Sequence, residues 1–317
     1  MTINTVNAFS NQKPVIALMG KGGTGKTFTS LGLIQSLRRK LDQAMIVADA
    51  DTNRSLSRYL TAHYLGYGKE ELKQLPQITL AEQDFYEFQQ LDSKQLYRDF
   101  YGTPFNQVKN FSVESPDSFT QKYIKSLDEK LGLMCVGTSA LHKEELYSNR
   151  CSHATLNPLK AWLALSTNGI VIADCGGGED VGRFGLPIGA HMVIVVVAAT
   201  PDSIAISEDI GAIVEELGIP VVYVLNKCLN QFTEVEAFEA EHQDQILGKI
   251  PSIGTIEGKN PLEVFDEIEH IFTPMVEKIL SREFISPEQR WERVLRWQNK
   301  LQQQMETKKS QPFSFVS

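Results

Sequence analysis

The sequence has no apolar run able to cross a bilayer. The longest, Met192 to Ala199 (MVIVVVAA), falls far short of the roughly 20 residues that a spanning helix needs. The opening segment MTINTVNAFSNQKP has no apolar core of the signal-peptide kind, so nothing directs export and a cytoplasmic location is expected. Cysteine is scarce and scattered. Cys135, Cys151, Cys175 and Cys228 form no C-x-x-C pair, which argues against a disulfide framework and reads mostly as buried thiols. An excess of positive charge is missing too. A net charge of −8 disfavours a surface wholly given to nucleic acid, although a local basic patch stays open. Internal repeats are not evident.

What is present is ordinary globular material: 317 residues, 42% of them hydrophobic and 22% charged. That length suits one large α/β domain with additions, or one domain with a small partner. Short continuous apolar runs stand at Val15–Met19, Met45–Ala48, Gly169–Asp174, Met192–Ala199 and Pro220–Leu225. Their lack of alternation predicts strands covered on both faces, as in a parallel sheet. Helical spacing follows the first run (Phe28, Leu31, Ile34, Leu37) and recurs at about 154–167, 201–217 and 260–280. Alternation of this kind predicts a doubly wound, mostly parallel sheet with helices on both faces.

Two regions fall outside the alternation. Residues 57–130 are polar and aromatic-rich, with helical patches near 82–100 and 118–130, and read as a helical insertion. Residues 286–317 read as a C-terminal helix with a disordered-looking end. The domain expectation is therefore 1–56 with 131–285, an insertion at 57–130, and a tail at 286–317.

The chemistry begins at MGKGGTGKT, Met19 to Thr27, which satisfies G-x-x-x-x-G-K-[ST] through Gly20, Gly25, Lys26 and Thr27. A glycine-rich turn between a strand and a helix aims successive N–H groups inward, and the helix N-terminus adds positive field. Together they suit the phosphates of a nucleotide. On this reading Gly22, Gly23, Thr24 and Gly25 form the cradle, Lys26 reaches the β/γ-phosphates and Thr27 sets its hydroxyl on Mg²⁺, with Phe28 following at the helix start. Carboxylates end two further strands, at Asp49-Ala50-Asp51 and at Asp174, where an open sheet places its ligand crevice.

Lys21 is a second lysine inside the loop, and the form K-G-G-T-G-K-T resembles the deviant phosphate loop of the MinD/ParA superfamily of ATPases. The resemblance covers most of the chain outside the insertion and tail. It implies a dimer formed with ATP in which Lys21 crosses to the partner's nucleotide, supplying charge in trans as an arginine finger does. It further implies that Asp51 positions or activates water, that Asp49 and Asp174 organise Mg²⁺ with Thr27, and that Gly177 in the Cys175–Asp180 stretch belongs to a second switch. That stretch, C-G-G-G-E-D, departs from the common forms. Asn226-Lys227 resembles the base-recognition turn, with Pro251 in the segment beside the base. ATP is implied over GTP because Leu229 breaks the guanine-reading N-K-x-D form.

In motif layout the chain is similar to the carbon-monoxide-dehydrogenase maturation branch of that superfamily. There a C-x-C pair stands where this chain has Cys151-Ser152-His153. Two Cys-x-His pairs across a dimer would make a set acceptable to Zn²⁺ or Ni²⁺; a half-buried structural Cys151 is the alternative. The insertion's aromatics, Tyr59, Tyr64, Tyr67, Phe85, Tyr86, Phe88, Tyr97, Phe100, Tyr101 and Phe105, fit either a small helical cap with its own core or a partner surface. In the tail, Trp291, Val294, Leu295, Leu301 and Met305 share a helix side with Arg290, Arg293, Arg296 and Lys300 interspersed. That stripe fits packing on the chain's own domain better than membrane contact. The expected function is a dimeric Mg-ATPase switch serving an unidentified cargo, with metalloenzyme maturation one candidate. The alternatives are a partitioning or positioning ATPase on DNA or membrane and, more distantly, a ligase of the dethiobiotin-synthetase kind.

Overall fold

A computed structural model describes residues 13–91, 100–136, 156–177, 185–228, 233–253 and 260–310. In chain order the strands are β1 (Val15–Met19), β2 (Met45–Ala50), β3 (Phe111–Ser112), β4 (Ile124–Ser126), β5 (Leu131–Cys135), β6 (Ser166–Thr167), β7 (Ile170–Cys175), β8 (Met192–Ala198), β9 (Val221–Cys228) and β10 (Ile246–Pro251). The α-helices among the described residues are α1 (Lys26–Lys40), α2 (Ser55–Leu65), α3 (Lys69–Leu72), α4 (Glu82–Gln89), α5 (Ser118–Tyr123), α6 (Asn157–Leu165), α7 (Pro201–Glu216), α8 (Thr233–Glu241), α9 (Phe265–Leu280) and α10 (Pro287–Ser310).

Eight strands form one sheet in the order β10-β9-β8-β1-β7-β2-β5-β4. Every pairing in it is parallel except β4 with β5. From β1 the chain crosses to β2 on one side and later returns to β8 on the other, so β1 sits at the topological switch point. Open α/β sheets bind ligands outside the carboxyl ends of the strands at that point.

The two faces of β1 enter different cores. Val15, Ala17 and Met19 join a cluster with Phe85, Phe100, Phe111, Phe119, Trp162 and Trp291. Ile16 and Leu18 join Leu31, Ile34 and Leu37 of α1 and Phe272, Met275 and Val276 of α9. Burial on both sides is why the strand reads as an unbroken apolar run rather than an alternating one.

Phe85, Phe100, Phe111 and Phe119 lie edge-on or tilted to one another at centroid separations of 4.9–6.3 Å, and Phe100 also meets Trp291 at 5.3 Å. Most of the aromatic signal in 57–130 is therefore main-sheet core, each buried ring contributing about 1.5–3 kcal/mol of transfer free energy. The helix expected over 118–130 stops at Tyr123. Asp117 caps its start by accepting from Thr120 N at 2.9 Å, and the chain then turns into edge strand β4.

The tail helix docks on its own domain, and in a way that its charge pattern conceals. Arg290 and Arg293 are not surface charges of the stripe. The Arg290 guanidinium donates to the carbonyls of Leu163 at 2.8 Å, of Gly189 at 3.1 Å and of Ser166. Arg293 Nη1 donates to Ala190 O at 2.7 Å. Burial, with the neighbouring Arg293 adding repulsion, pushes Arg290 down to about 9. Both side chains give donors to buried carbonyls at the end of α6 and in the 3₁₀ turn Leu186–Gly189, and Leu163 O accepts from Ser166 Oγ at 3.0 Å as well. Among the described residues no helix is long and apolar enough to cross a membrane.

Candidate functional site

The turn between β1 and α1 closes over its own lysine. Lys26 is buried, and its Nζ donates to the carbonyls of Gly20 at 3.0 Å and Lys21 at 3.2 Å. Gly25, immediately before α1, has φ 93°, and a Cβ there would stand 2.0 Å from Asn226 Nδ2. Gly20 admits no side chain either, since its Cβ would meet Val196 O at 2.5 Å. The loop is thus braced from β8 and β9 into one shape and leaves its inner side lined by backbone.

The brace from β9 comes from the two residues singled out as a base-recognition turn. Asn226 Nδ2 donates to Thr24 O at 2.6 Å, and Asn226 Oδ1 accepts from Lys227 N at 2.9 Å. Lys227, at φ 58°, sends Nζ back to Gly23 O at 2.8 Å. In this state both residues support the phosphate loop, and one lone pair of Asn226 Oδ1 remains for a base. Pro251, exposed at the end of β10, pairs in register with Cys228 of β9, so it sits at the carboxyl end of the third strand over from β1. Phe28 packs its ring against Phe272, 5.9 Å between centroids.

Two carboxylates meet opposite the loop. Asp49 and Asp174 are register partners on β2 and β7, and both are about 1% exposed. Asp49 accepts from Ser57 N and Ser57 Oγ, each at 2.7 Å, and from Asp51 N at 3.3 Å. Asp174 Oδ2 accepts from Thr27 Oγ1 at 3.0 Å, while its Oδ1 is buried with no hydrogen-bond partner. Burial pushes Asp174 up to about 7, with the charge of Asp49 adding to it; burial likewise lifts Asp49 to about 6 against the Ser57 hydrogen bonds. Two buried carboxylates, one with an orphaned oxygen, beside a hydroxyl at a helix start form an oxygen donor set that fits a hard divalent cation such as Mg²⁺.

Asp51 stands at the mouth, partly exposed, its Oδ1 accepting from Asn53 N at 2.9 Å. Gly177, exposed, comes so close to the loop that a Cβ on it would lie 3.0 Å from Gly22 N. Lys21 is the exception to the convergence. Its ammonium is ion-paired to Asp202 in the first turn of α7. Cys151 and His153 lie outside the described residues.

Sequence reasoning missed Ser57, Lys227's reach to Gly23 and Asp202 as the partner of Lys21. Asp202 had a faint signal, an acid one residue past the Thr200-Pro201 helix start; Ser57 had none, because its role depends on where α2 folds back.

Residues 15–257 match the family described as the CobQ/CobB/MinD/ParA nucleotide binding domain. An uncharacterized ATP-binding protein of Methanocaldococcus jannaschii is 26% identical over 249 residues, covering 75% of this chain and 87% of its own. Among solved structures, the MinC:MinD cell division complex of Aquifex aeolicus aligns at TM-score 0.54 and 15% identity, over 86% of this chain and 98% of that one. A ParA family ATPase from Chlorobium tepidum aligns at TM-score 0.54 and 14% identity, over 91% and 99%. A putative plasmid partition protein of Borrelia burgdorferi bound to AMPPNP aligns at 0.50 and 17%, over 82% and 98%. At such identities these structures speak for the fold. The narrower likeness to the carbon-monoxide-dehydrogenase maturation branch gains no support from them.

Proposed function

The chain belongs to the CobQ/CobB/MinD/ParA family of nucleotide-binding domains, and from that premise we propose that it is a Mg²⁺-dependent ATPase acting as a dimeric switch. The observation that carries this reading is the orphaned, buried Oδ1 of Asp174 beside the Thr27 hydroxyl and its register partner Asp49. Thr27 and Asp174 would hold Mg²⁺, with Asp49 behind them. Bound there, the ion would supply charge neutralisation to the phosphates.

The remaining chemistry rests on the chain's own groups. Lys26 exchanges its two loop carbonyls for phosphate oxygens, a trade that replaces dipoles with full charges and so favours the bound state. The N–H groups of Gly22 to Thr27 hold the phosphates at the start of α1. Asp51, oriented through its bond from Asn53 N, aligns the attacking water. Asn226 offers its free lone pair to the adenine amino group while still gripping Thr24. Gly177, next to Gly22, carries the presence or absence of the γ-phosphate into the segment that follows. Lys21 leaves Asp202 and crosses to the partner protomer, so hydrolysis is slow until two loaded chains meet.

Light scattering with a phosphate-release assay tests the reading. Asp51→Ala is expected to be a monomer alone and a dimer with Mg-ATP, with turnover lost. Wild-type protein that binds no ATP, or that hydrolyses it equally well as an isolated protomer, overturns it.

A further inference from the structure

On the flank away from the phosphate loop, α7 and α8 bring together a histidine and two glutamates. One imidazole nitrogen of His242 and a carboxylate oxygen from each of Glu208 and Glu241 lie within 4.8 Å of one another. Which nitrogen is free is decided by hydrogen bonding. Gln245 Nε2 donates to Glu215 Oε1 at 3.1 Å, which fixes the orientation of that amide. Its Oε1 then faces His242 Nδ1 at 2.9 Å and can only accept, so Nδ1 carries the proton. Nε2 is the nitrogen left over for a ligand. It is sealed from solvent and has no hydrogen-bond partner among the described residues.

The ring is not free to turn away. It lies 4.4 Å from the Phe238 ring and 4.7 Å from the Tyr223 ring, centroid to centroid. Tyr223 in turn fits against Gly211, where a Cβ would meet its hydroxyl at 2.2 Å. Glu208, Gly211 and Glu215 follow the i, i+3, i+7 spacing of one helix face, so the acidic groups of α7 face this ring together. The negative field is felt there: after burial, the charges of Glu215, Glu208 and Glu241 help hold the Tyr223 phenol at about 12.

Two carboxylates gathered beside an imidazole repel one another unless a cation, either a proton on the ring or a metal ion, sits among them. A neutral imidazole held by an outer hydrogen bond from its other nitrogen to a carbonyl is also the arrangement that tunes histidine ligands in metal sites. Zinc-type ligands at about 2.0–2.2 Å from one ion stand roughly 3–3.6 Å apart, a closure that two exposed glutamates reach by rotamer change. We propose that His242, Glu208 and Glu241 bind a borderline first-row divalent cation, Zn²⁺ most readily, through His242 Nε2 and one oxygen of each glutamate, with Gln245 and Glu215 as its outer shell. The site is separate from the Asp49–Asp174 pair and independent of the nucleotide reading. It would clasp α8, which follows the Asn226-Lys227 strand, to α7, whose first turn holds Asp202.

The test uses the full chain, stripped with chelator and titrated with Co²⁺ and then Zn²⁺ in excess Mg²⁺ without nucleotide. A single equivalent per chain is expected, with a cobalt d–d absorption band that zinc displaces. His242→Ala should abolish the band, Gln245→Ala should weaken binding by about 10–100-fold, and Asp174→Asn should leave it unchanged. Circular dichroism and melting in chelator show whether His242→Ala still folds; if it does not, Glu208→Gln with Glu241→Gln replaces it. Absence of a bound equivalent, a band that survives loss of His242 or of both glutamates, or an NMR spectrum in which His242 remains an imidazolium paired with the glutamates in the presence of Zn²⁺ overturns the proposal.

Discussion

The Lys21 ammonium is tied to Asp202 of its own chain, 181 residues further on, while the Lys21 carbonyl stays in the loop and accepts from Lys26 Nζ at 3.2 Å. The pair is exposed, with side-chain accessibilities of 36% and 72%. Exposed ion pairs are worth about 0–1 kcal/mol, so the tie orients the lysine without trapping it. Asp202→Asn is therefore expected to strengthen ATP-dependent dimerisation by up to about fivefold, measured by light scattering across protein concentration. Lys21→Ala should lose both dimerisation and stimulated hydrolysis; if both persist, the lysine has no role across the interface.

The buried carboxylates make the metal-free protein sensitive to pH in a defined direction. Folded Asp174 keeps its proton up to about pH 7, while the ordinary value of 3.8 governs the unfolded chain. Between those values the folded state binds the extra proton, so this group's contribution to stability falls as pH rises through that window. Asp49 acts in the same sense up to about 6. Without Mg²⁺, Asp174→Asn should melt a few degrees higher than wild type at about pH 8 and lose the stabilisation that Mg-ATP gives. Mg²⁺ binding in wild type should weaken as pH is lowered from about 8 to about 6, because proton and metal compete for one oxygen.

Gly25 carries two constraints at once, a left-handed φ of 93° and the Asn226 amide 2.0 Å from any added Cβ. Gly25→Ala should cost nucleotide affinity at least about tenfold, read with a fluorescent ATP analogue. The strain at a positive φ adds only about 1 kcal/mol to the loss of stability. Asn226→Ala should lower affinity without that strain, separating the brace from the backbone effect.

Arg290 has no bearing on the nucleotide and a large bearing on the fold. Removing it takes a donor from the carbonyls of Leu163, Ser166 and Gly189 in a buried seam, although Leu163 O still accepts from Ser166 Oγ. Arg290→Ala is expected to destabilise by about 2–4 kcal/mol in urea unfolding, whereas Arg296→Ala, on the exposed side of the same helix, should change little.

Strands flanked on both faces were the easiest part of this chain to read. β1, β2, β7, β8 and β9 announce themselves because two-sided burial makes each a nearly unbroken apolar run, with Asp49, Asp174 and Asn226-Lys227 standing only toward the carboxyl ends of β2, β7 and β9. β5 escaped notice because Leu131–Cys135 is short and holds a glycine, and β4 because Ile124–Ser126 gains its identity only from pairing with β5. In the site, the loop residues and the strand-end carboxylates follow from local pattern. Ser57, Asp202 and the His242 cluster do not, since each is defined by a residue remote in sequence or by the return of a helix. The tail misled for a third reason. Arginine looks like surface in any pattern, and only the carbonyls that Arg290 and Arg293 reach, at Leu163, Ser166, Gly189 and Ala190, show why the two are inside.

The borders of the sheet bear on what this molecule avoids. At one margin β4 offers three residues, running against its neighbour and carrying Lys125. At the other, β10 breaks register twice against β9 and finishes in Pro251, which has no amide hydrogen to offer. Neither rim is a good template for an incoming strand. On the proposed cycle, in which two copies meet across a bound triphosphate and part again, such rims keep the chain from sticking sideways into ribbons that hydrolysis could not undo.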